Sequence, residues 1–257
     1  MKLRLDKLIV ERGLAPTRER AQALILAGRI LVDEQKVDKP GHAVPEGAAL
    51  RMLGDDLRYV SRGGLKLEAA LRYWQIDLTG RFCLDVGAST GGFTDCMLQH
   101  GAARVLAIDT GYGQIAESLR RDPRVTLKER TNARNLAPGD LPSGISFLAM
   151  DVSFISATLV LPSVVRAISA GSETPALLES VILIKPQFEA GREHVGKGGI
   201  VRDPVAHQLA IDRIRACVAE IGGEAIGIID SPILGTEGNR EFLLYSRLSL
   251  ADAGLHC

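Results

Sequence analysis

The spacing of apolar residues changes character twice along the chain. Leu5, Leu8 and Ile9 share one helical face within residues 3–12, and Gly13 stops that run. Thr17 is placed to cap a second helix, with Ala21, Leu24 and Ile25 as its stripe and Gly28 at its end. The period then shortens. Ile30-Leu31-Val32 reads as a strand, Asp33-Glu34-Gln35 turns the chain, Lys36-Val37 leads into Pro40-Gly41, and a further short strand falls at about 48–53. Two helices followed by short strands predict a compact α+β module over 1–58. Gly54-Asp55-Asp56 is a polar break, and 59–63 reads as a linker into glycine-marked sequence at Gly63 and Gly64.

From residue 64 the pattern predicts a second, larger domain ending near 250, with 251–257 as a tail. Leu67, Ala70, Leu71 and Trp74 line one face of a helix over 64–74. Short apolar runs then alternate with helical periods. Strands are expected at 82–86, 105–108, 125–127, 145–150, 181–184, 224–230 and 241–247. Helices are expected at 94–100, after the strand at 105–108 and through Leu119, at 156–168 and at 204–221, with a glycine-rich loop over 189–202. Such alternation predicts an α/β domain whose parallel sheet is covered by helices on both faces.

Composition adds limits more than identity. The 257 residues are 46% hydrophobic, enough for a sizeable core, and the formal net charge is zero. Any affinity for nucleic acid must therefore come from local clusters. Residues 1–40 hold nine Lys/Arg against six Asp/Glu, a bias that a solvated face would also produce. Cys83, Cys96, Cys217 and Cys257 form no paired motif, which suits reduced, cytoplasmic surroundings. The five histidines lack ligand spacing, so no metal site is expected. The opening Met-Lys-Leu-Arg-Leu-Asp turns charged too soon for a signal peptide, and no apolar stretch approaches membrane-spanning length.

The segment richest in chemistry is Leu84-Asp85-Val86-Gly87-Ala88-Ser89-Thr90-Gly91-Gly92-Phe93, an apolar strand, a glycine turn and a helix start. Ligands of open α/β sheets sit beyond such turns. The spacing G-x-x-x-G-G departs from the dinucleotide fingerprint and disfavours a nicotinamide. Asp109 ends the next strand, where a carboxylate accepts hydrogen bonds from a ribose. A glycine turn plus a ribose carboxylate fits S-adenosylmethionine, which has a ribose and no phosphate. Downstream, Gly191 to Gly198 approaches a phosphate-binding loop. It lacks the closing Ser or Thr, and no helix follows directly. That loop is either a flexible connection or a substrate-contacting lid carrying Arg192, Lys197 and Arg202.

Four ionisable residues stand where sheet topology could gather them. Lys66 lies on the helix before the first strand of this domain, Asp151 and Lys185 follow strand ends, and Glu241 begins the last strand. Taken singly, Lys66 reads equally as a solvated helix residue, Asp151 as a cap and Glu241 as an edge charge. Lys185 directly follows Val-Ile-Leu-Ile and is harder to assign to the surface. Methylation of a hydroxyl requires the oxygen to lose its proton. A free lysine is neutral in only about one molecule in 2,500 at pH 7, a cost of about 4.6 kcal/mol. A neighbouring ammonium and desolvation reduce that cost. Lys185 is therefore the candidate base or oxyanion stabiliser, with Lys66 as its neighbour and the two carboxylates orienting the pair. Methyltransferases that act on an exocyclic amine place prolines and an aromatic after this strand. Here the segment is Asp151-Val152-Ser153-Phe154, which lowers the base-directed alternative.

At these residues the sequence resembles a known family. The run Leu84 to Phe93, with Lys66, Asp151, Lys185 and Glu241, resembles FtsJ-type ribose 2′-O-methyltransferases and their Lys-Asp-Lys-Glu tetrad. Tyr59-Val-Ser-Arg-Gly-Gly-Leu-Lys66-Leu, Gly111-Tyr-Gly-Gln114, Glu129-Arg-Thr-Asn-Ala-Arg134, Asp151-Val-Ser-Phe-Ile-Ser156 and Lys185-Pro-Gln-Phe-Glu189 together resemble the TlyA family over essentially the whole chain. The resemblance implies a Rossmann-like S-adenosylmethionine-dependent domain behind an S-four-type RNA-binding domain, acting on a cytidine ribose in ribosomal RNA. It implies a cofactor site at Asp85, Gly87, Ala88, Ser89, Gly91, Gly92, Phe93 and Asp109, with Asn132 near the adenine. Arg4, Lys7, Arg18, Arg20, Arg29 and Arg62 would contact RNA, the first five through phosphates that position without reading sequence. Glu237 is a second candidate for the fourth tetrad position. The chain starts directly at its first helix, without the short basic extension of members that modify both subunits, which favours the large subunit as substrate. The family's haemolysin label would need an amphipathic or apolar membrane element, and none is legible. A binding-only module would have lost a tetrad residue, and all four are present.

Overall fold

The computed structural model describes residues 2–15, 17–53, 58–171, 175–235 and 237–250. The chain divides into two compact units, Met1–Leu57 and Arg58–Cys257.

The first unit opens with strand β1 (Lys2–Arg4), then helices α1 (Leu5–Glu11) and α2 (Arg18–Leu26). Strands β2 (Ile30–Val32), β3 (Gln35–Lys36), β4 (Ala43–Pro45) and β5 (Leu50–Met52) follow. Thr17 caps α2 by accepting from the Arg20 amide. The expected helix over 3–12 is shorter than predicted, because Leu3 and Arg4 pair antiparallel with Val44 and Ala43. β4 was not expected from the pattern. β3, β2 and β5 form a second antiparallel sheet. Leu5, Leu8 and Ile9 pack with Leu24, Ile25, Ile30 and Val44 as the core.

The second unit comprises α3 (Gly63–Trp74), β6 (Phe82–Val86), α4 (Gly92–Gln99), β7 (Arg104–Ile108), α5 (Glu117–Arg120), β8 (Val125–Lys128), β9 (Ile145–Met150), α6 (Leu161–Ser169), β10 (Leu177–Ile184), α7 (Pro186–Glu189), α8 (Pro204–Glu220), β11 (Gly223–Asp230) and β12 (Phe242–Ser249). Its seven-stranded sheet has the order β11-β12-β10-β9-β6-β7-β8. The sheet is mixed, not wholly parallel: β12 inserts between β10 and β11 and runs antiparallel to both. One face is covered through Val164, Ile168, Ala210 and Ile214 of α6 and α8, the other through Leu67, Leu71, Cys96 and Met97 of α3 and α4.

The reading of 59–63 as a linker needs correction. Tyr59 is buried in the core of the second unit, and the Val60 amide donates to Asp95 Oδ2 at 2.7 Å. A Cβ on Gly64 would lie 2.3 Å from the Tyr59 ring, so that glycine permits close packing and is no hinge. The tail at 251–257 and the polar break at Gly54-Asp55-Asp56 lie outside the described residues.

Candidate active site

The sheet brings the site together at one edge. β6, β7, β9 and β10 are parallel, so the segments after them share that edge. β12 is antiparallel, and its first residue Phe242 lies opposite Ile184. Glu241 therefore reaches the same edge as Lys185 although one residue precedes its strand and the other follows.

Lys66, Asp151, Lys185 and Glu241 all line one cavity of about 290 Å³. Lys66 Nζ lies 2.5 Å from Glu241 Oε2, and Lys185 Nζ lies 2.5 Å from Asp151 Oδ1. Each lysine thus has its own carboxylate, and the four charges balance. Burial makes this pairing matter: Lys66 and Lys185 are each 8% exposed and Glu241 is 3% exposed. Lys185 Nζ also donates to Ser153 Oγ at 2.7 Å. Glu237 is exposed, with its carboxylate near Gly199, and it is Glu241 that lines the cavity with the other three.

A second cavity, of about 490 Å³, adjoins the first through Gly87, Ser89, Asp151 and Ser153. Asp109, Asn132, Val152, Ile155 and Val160 contribute to its lining. Gly87 sits at φ +89°, and a Cβ there would lie 2.4 Å from the Asp151 carbonyl oxygen. The turn needs glycine for both reasons. Asp109 accepts from the Ser89 amide at 2.7 Å and the Gly111 amide at 2.6 Å. An ionised carboxylate has about four acceptor sites, so capacity remains for ribose hydroxyls. The joined volume, the glycine floor and a half-satisfied carboxylate fit S-adenosylmethionine, whose adenosine suits the larger cavity.

Of the expected cofactor residues, Gly87, Ala88, Ser89, Gly92 and Phe93 line the first cavity and Asp109 and Asn132 the second. Asp85 and Gly91 line neither. Side chains alternate along β6, so Asp85 shares the side of Cys83, where it is fully buried and accepts from Thr94 Oγ1 at 2.6 Å. Burial raises its carboxyl to about 7. Gly91 holds φ +95° under Leu119 and Ile115, which a Cβ would strike.

Arg62 lines the first cavity. In the first unit, Arg4 and Arg18 both donate to the buried carboxylate of Asp6, and Arg29 donates to the Leu53 carbonyl. Lys7 and Arg18 lie on the surface, with Arg20 at intermediate exposure. The loop after Glu189 is pinned at its far end. Asn239 accepts from the Val201 amide at 2.9 Å and donates to the Gly199 carbonyl at 2.8 Å, and His207 Nε2 lies 3.0 Å from the Val201 carbonyl. Residues 199–201 are therefore held, which does not suit an unrestrained flexible loop.

Two contributors were not identified from sequence, Ser153 and Glu189. Buried Glu189 accepts from Ser156 Oγ at 2.5 Å and the Ala157 amide at 2.8 Å. It thereby ties the segment after β9 to the helix that begins beside Lys185. Burial raises its carboxyl above the usual range. Only the motif Lys185-Pro-Gln-Phe-Glu189 hinted at it, since the contacts span more than 30 residues.

Asp109→Ala is expected to weaken S-adenosylmethionine binding about 10- to 100-fold, the worth of a charged hydrogen bond or two. Calorimetric titration of the purified protein checks this. Unchanged affinity would remove Asp109 from the ribose site.

Comparison with known proteins agrees with the geometry. The family model described as FtsJ-like methyltransferase matches residues 59–248, and the S4 domain model matches residues 3–50. YqxC of Bacillus subtilis, named as an rRNA methyltransferase, is 49% identical over 95% of this chain and 85% of its own length. The 16S/23S rRNA (cytidine-2′-O)-methyltransferase TlyA of Mycobacterium tuberculosis is 44% identical over 95% of this chain and 89% of its own. A solved Streptococcus thermophilus structure carrying a hemolysin name superposes with a TM-score of 0.72 at 39% identity, covering 98% of this chain and 95% of that one. Among the described residues, no helix is long and apolar enough to cross a membrane.

Proposed function

We propose that this chain, which belongs to the TlyA family of FtsJ-like ribosomal RNA methyltransferases, methylates the ribose 2′-hydroxyl of a cytidine in ribosomal RNA. The observation that carries this reading is the convergence of two lysine–carboxylate pairs on one cavity beside the glycine turn. The relatives' names supply the nucleotide and the ribosomal target.

S-adenosylmethionine supplies, when bound, a methyl group made electrophilic by its sulfonium. Asp109 and Asn132 would hold its adenosine, and the turn from Gly87 to Gly92 its other end. The chain's own residues deal with the attacking oxygen. Lys185 either accepts the proton of the 2′-hydroxyl as a neutral amine or, as an ammonium, stabilises the oxyanion while the proton leaves to solvent. Asp151 and Ser153 hold it in place, the first by charge and the second by a hydrogen bond. Lys66 and Glu241 form a fixed, nearly neutral wall across the cavity, which keeps a polar site available in a largely buried place. Phe154 follows directly and is 91% exposed, with its ring centroid 5.4 Å from that of Phe188. An exposed aromatic face beside a ribose site suits a base lifted out of its stack.

The segment Asp151-Val152-Ser153-Phe154 offers no proline-lined clamp for an exocyclic amine, which weighs against base methylation. The large subunit is the proposed substrate, with the small subunit as the alternative acceptor. Labelled methyl from S-adenosylmethionine should appear in unmodified large subunits and be recovered as 2′-O-methylcytidine. Label recovered on a base would overturn the proposal. Label in small subunits alone would reassign the substrate.

A further inference from the structure

We propose that Ser153 is a positioning residue that aims the Lys185 amine at the attacking oxygen; this rests on the methyl-transfer reading above. A neutral primary amine carries two N–H bonds and one lone pair. Here Lys185 Nζ has two oxygen neighbours from one short segment, Asp151 Oδ1 at 2.5 Å and Ser153 Oγ at 2.7 Å. The contact to Ser153 is a hydrogen bond, whereas Asp151 Oδ1 attracts the amine by charge without receiving one. With one N–H fixed on Ser153 Oγ, the rest of the amine, its lone pair included, is held toward Asp151 and the cavity that Lys185 and Ser153 both line. In the ammonium form an N–H takes the place of the lone pair and is available to the developing oxyanion. With Asp151 alone, the amine turns about its Cε–Nζ bond and shares its time among orientations. Ser153 thus restricts a rotation that a single ion pair leaves open.

The placement of Ser153 is built at both ends of its segment. At the start, the Asp151 amide donates to the Val86 carbonyl at 2.9 Å, and the Asp151 carbonyl oxygen lies 2.4 Å from where a Cβ on Gly87 would be. At the finish, Glu189 receives Ser156 Oγ and the Ala157 amide. Glu189 closes the short helix that begins just after Lys185, so the serine and the lysine are braced by the same helix. Between the two anchors, Phe154 takes φ +64°, a conformation costly for a bulky residue. A serine that merely met solvent would not require this bracing.

The test compares Ser153→Ala and Ser153→Thr with the wild-type full chain. Ser153→Ala is expected to lower kcat about tenfold, with S-adenosylmethionine affinity unchanged by calorimetry, and Ser153→Thr should restore most of the rate. A turnover-independent readout accompanies it: acetylation of Lys185 by acetic anhydride, followed by peptide mass spectrometry. Release of one hydrogen bond should speed that labelling about fivefold in Ser153→Ala and leave Ser153→Thr near wild type. The inference is overturned by equal labelling rates, by a Thr variant as impaired as the Ala variant, or by a loss confined to cofactor affinity. A wild-type protein that methylates no ribosomal RNA would strike the proposed function instead. The labelling comparison would still decide what Ser153 does.

Discussion

Lys185→Ala is expected to lower the rate of methyl transfer about 10²- to 10⁴-fold, the usual worth of a positioned acid or base. S-adenosylmethionine affinity should stay within about threefold, because Lys185 lines the smaller cavity and not the larger one, where the change is worth less than one hydrogen bond. No other lysine can take over. Lys66 is the second lysine lining the cavity, and Glu241 engages it at 2.5 Å. Asp151 is left without its cation but is partly exposed, so water can solvate it. Lys185→Arg separates the two roles that a lysine can serve. A guanidinium keeps its charge at all working pH values and cannot accept the proton. If Lys185 is the base, Arg should be as inactive as Ala. If its service is electrostatic, Arg should recover much of the rate. Single-turnover transfer with enzyme in excess reads the chemical step directly, and full turnover by Lys185→Ala would remove the residue from the mechanism.

The sequence discloses the parallel part of the sheet more readily than its other edge. Phe82–Val86 and Ile145–Met150 match their predicted spans because strands buried on both faces read as unbroken apolar runs. β10 is four residues longer than expected at its start, since Glu179 and Ser180 interrupt the apolar run. Tertiary partners explain both residues. Glu179 meets Arg81, and Ser180 Oγ lies 2.6 Å from the hydroxyl of Ser246 on β12. No local pattern reveals a polar strand residue satisfied 66 positions away. The same reason hides Ser153 and Glu189, whose meaning lies in contacts more than 30 residues apart. α5 is one turn long where a helix running from the end of the strand through Leu119 was expected, because the Gly111 and Gly113 amides are given instead to Asp109 and Glu129. Asp85 shows a different limit: it stands in the cofactor motif, while strand alternation places its side chain in the buried layer beside Cys83. The four tetrad candidates were legible because each sits at a strand boundary or helix face that pattern alone locates. The pairing of Lys185 with Asp151 follows from parallel β9 and β10, whereas that of Lys66 with Glu241 needed the antiparallel insertion of β12.

Asp6→Ala is expected to leave the first unit with little of its stability while the second is unaffected. Asp6 is fully buried beside Leu5 on α1, yet its carboxylate receives both Nε and Nη2 of Arg4, Nε of Arg18 at 2.9 Å and the side-chain amide of Gln22 at 2.9 Å. One acid thus ties β1, α1 and α2 together. Breaking a buried ion pair costs about 3–5 kcal/mol. Both arginines are about half exposed and can rehydrate, so about 2–3 kcal/mol is the better expectation here. A unit of this size commonly has only about 3–5 kcal/mol to lose. The pH dependence follows from the hydrogen bonds of Arg4 first, with Gln22 and Arg18 adding to them, which hold the Asp6 carboxyl well below the usual carboxylate range. A depressed folded-state pKa stabilises the fold above the unfolded value of about 3.9, and the contribution fades as pH falls further. The wild-type first unit should therefore lose stability progressively below about pH 4, and Asp6→Ala should lack that component. Hydrogen–deuterium exchange of the full chain reads the two units separately. Protection should fall across 2–53 and persist across 58–171. Loss of ribosomal RNA affinity alongside it, with S-adenosylmethionine binding retained, would show that the folded first unit is what brings the RNA to the site. Unchanged protection in 2–53 would mean that the apolar core of Leu5, Ile9, Ile25 and Ile30 suffices without the charged tie.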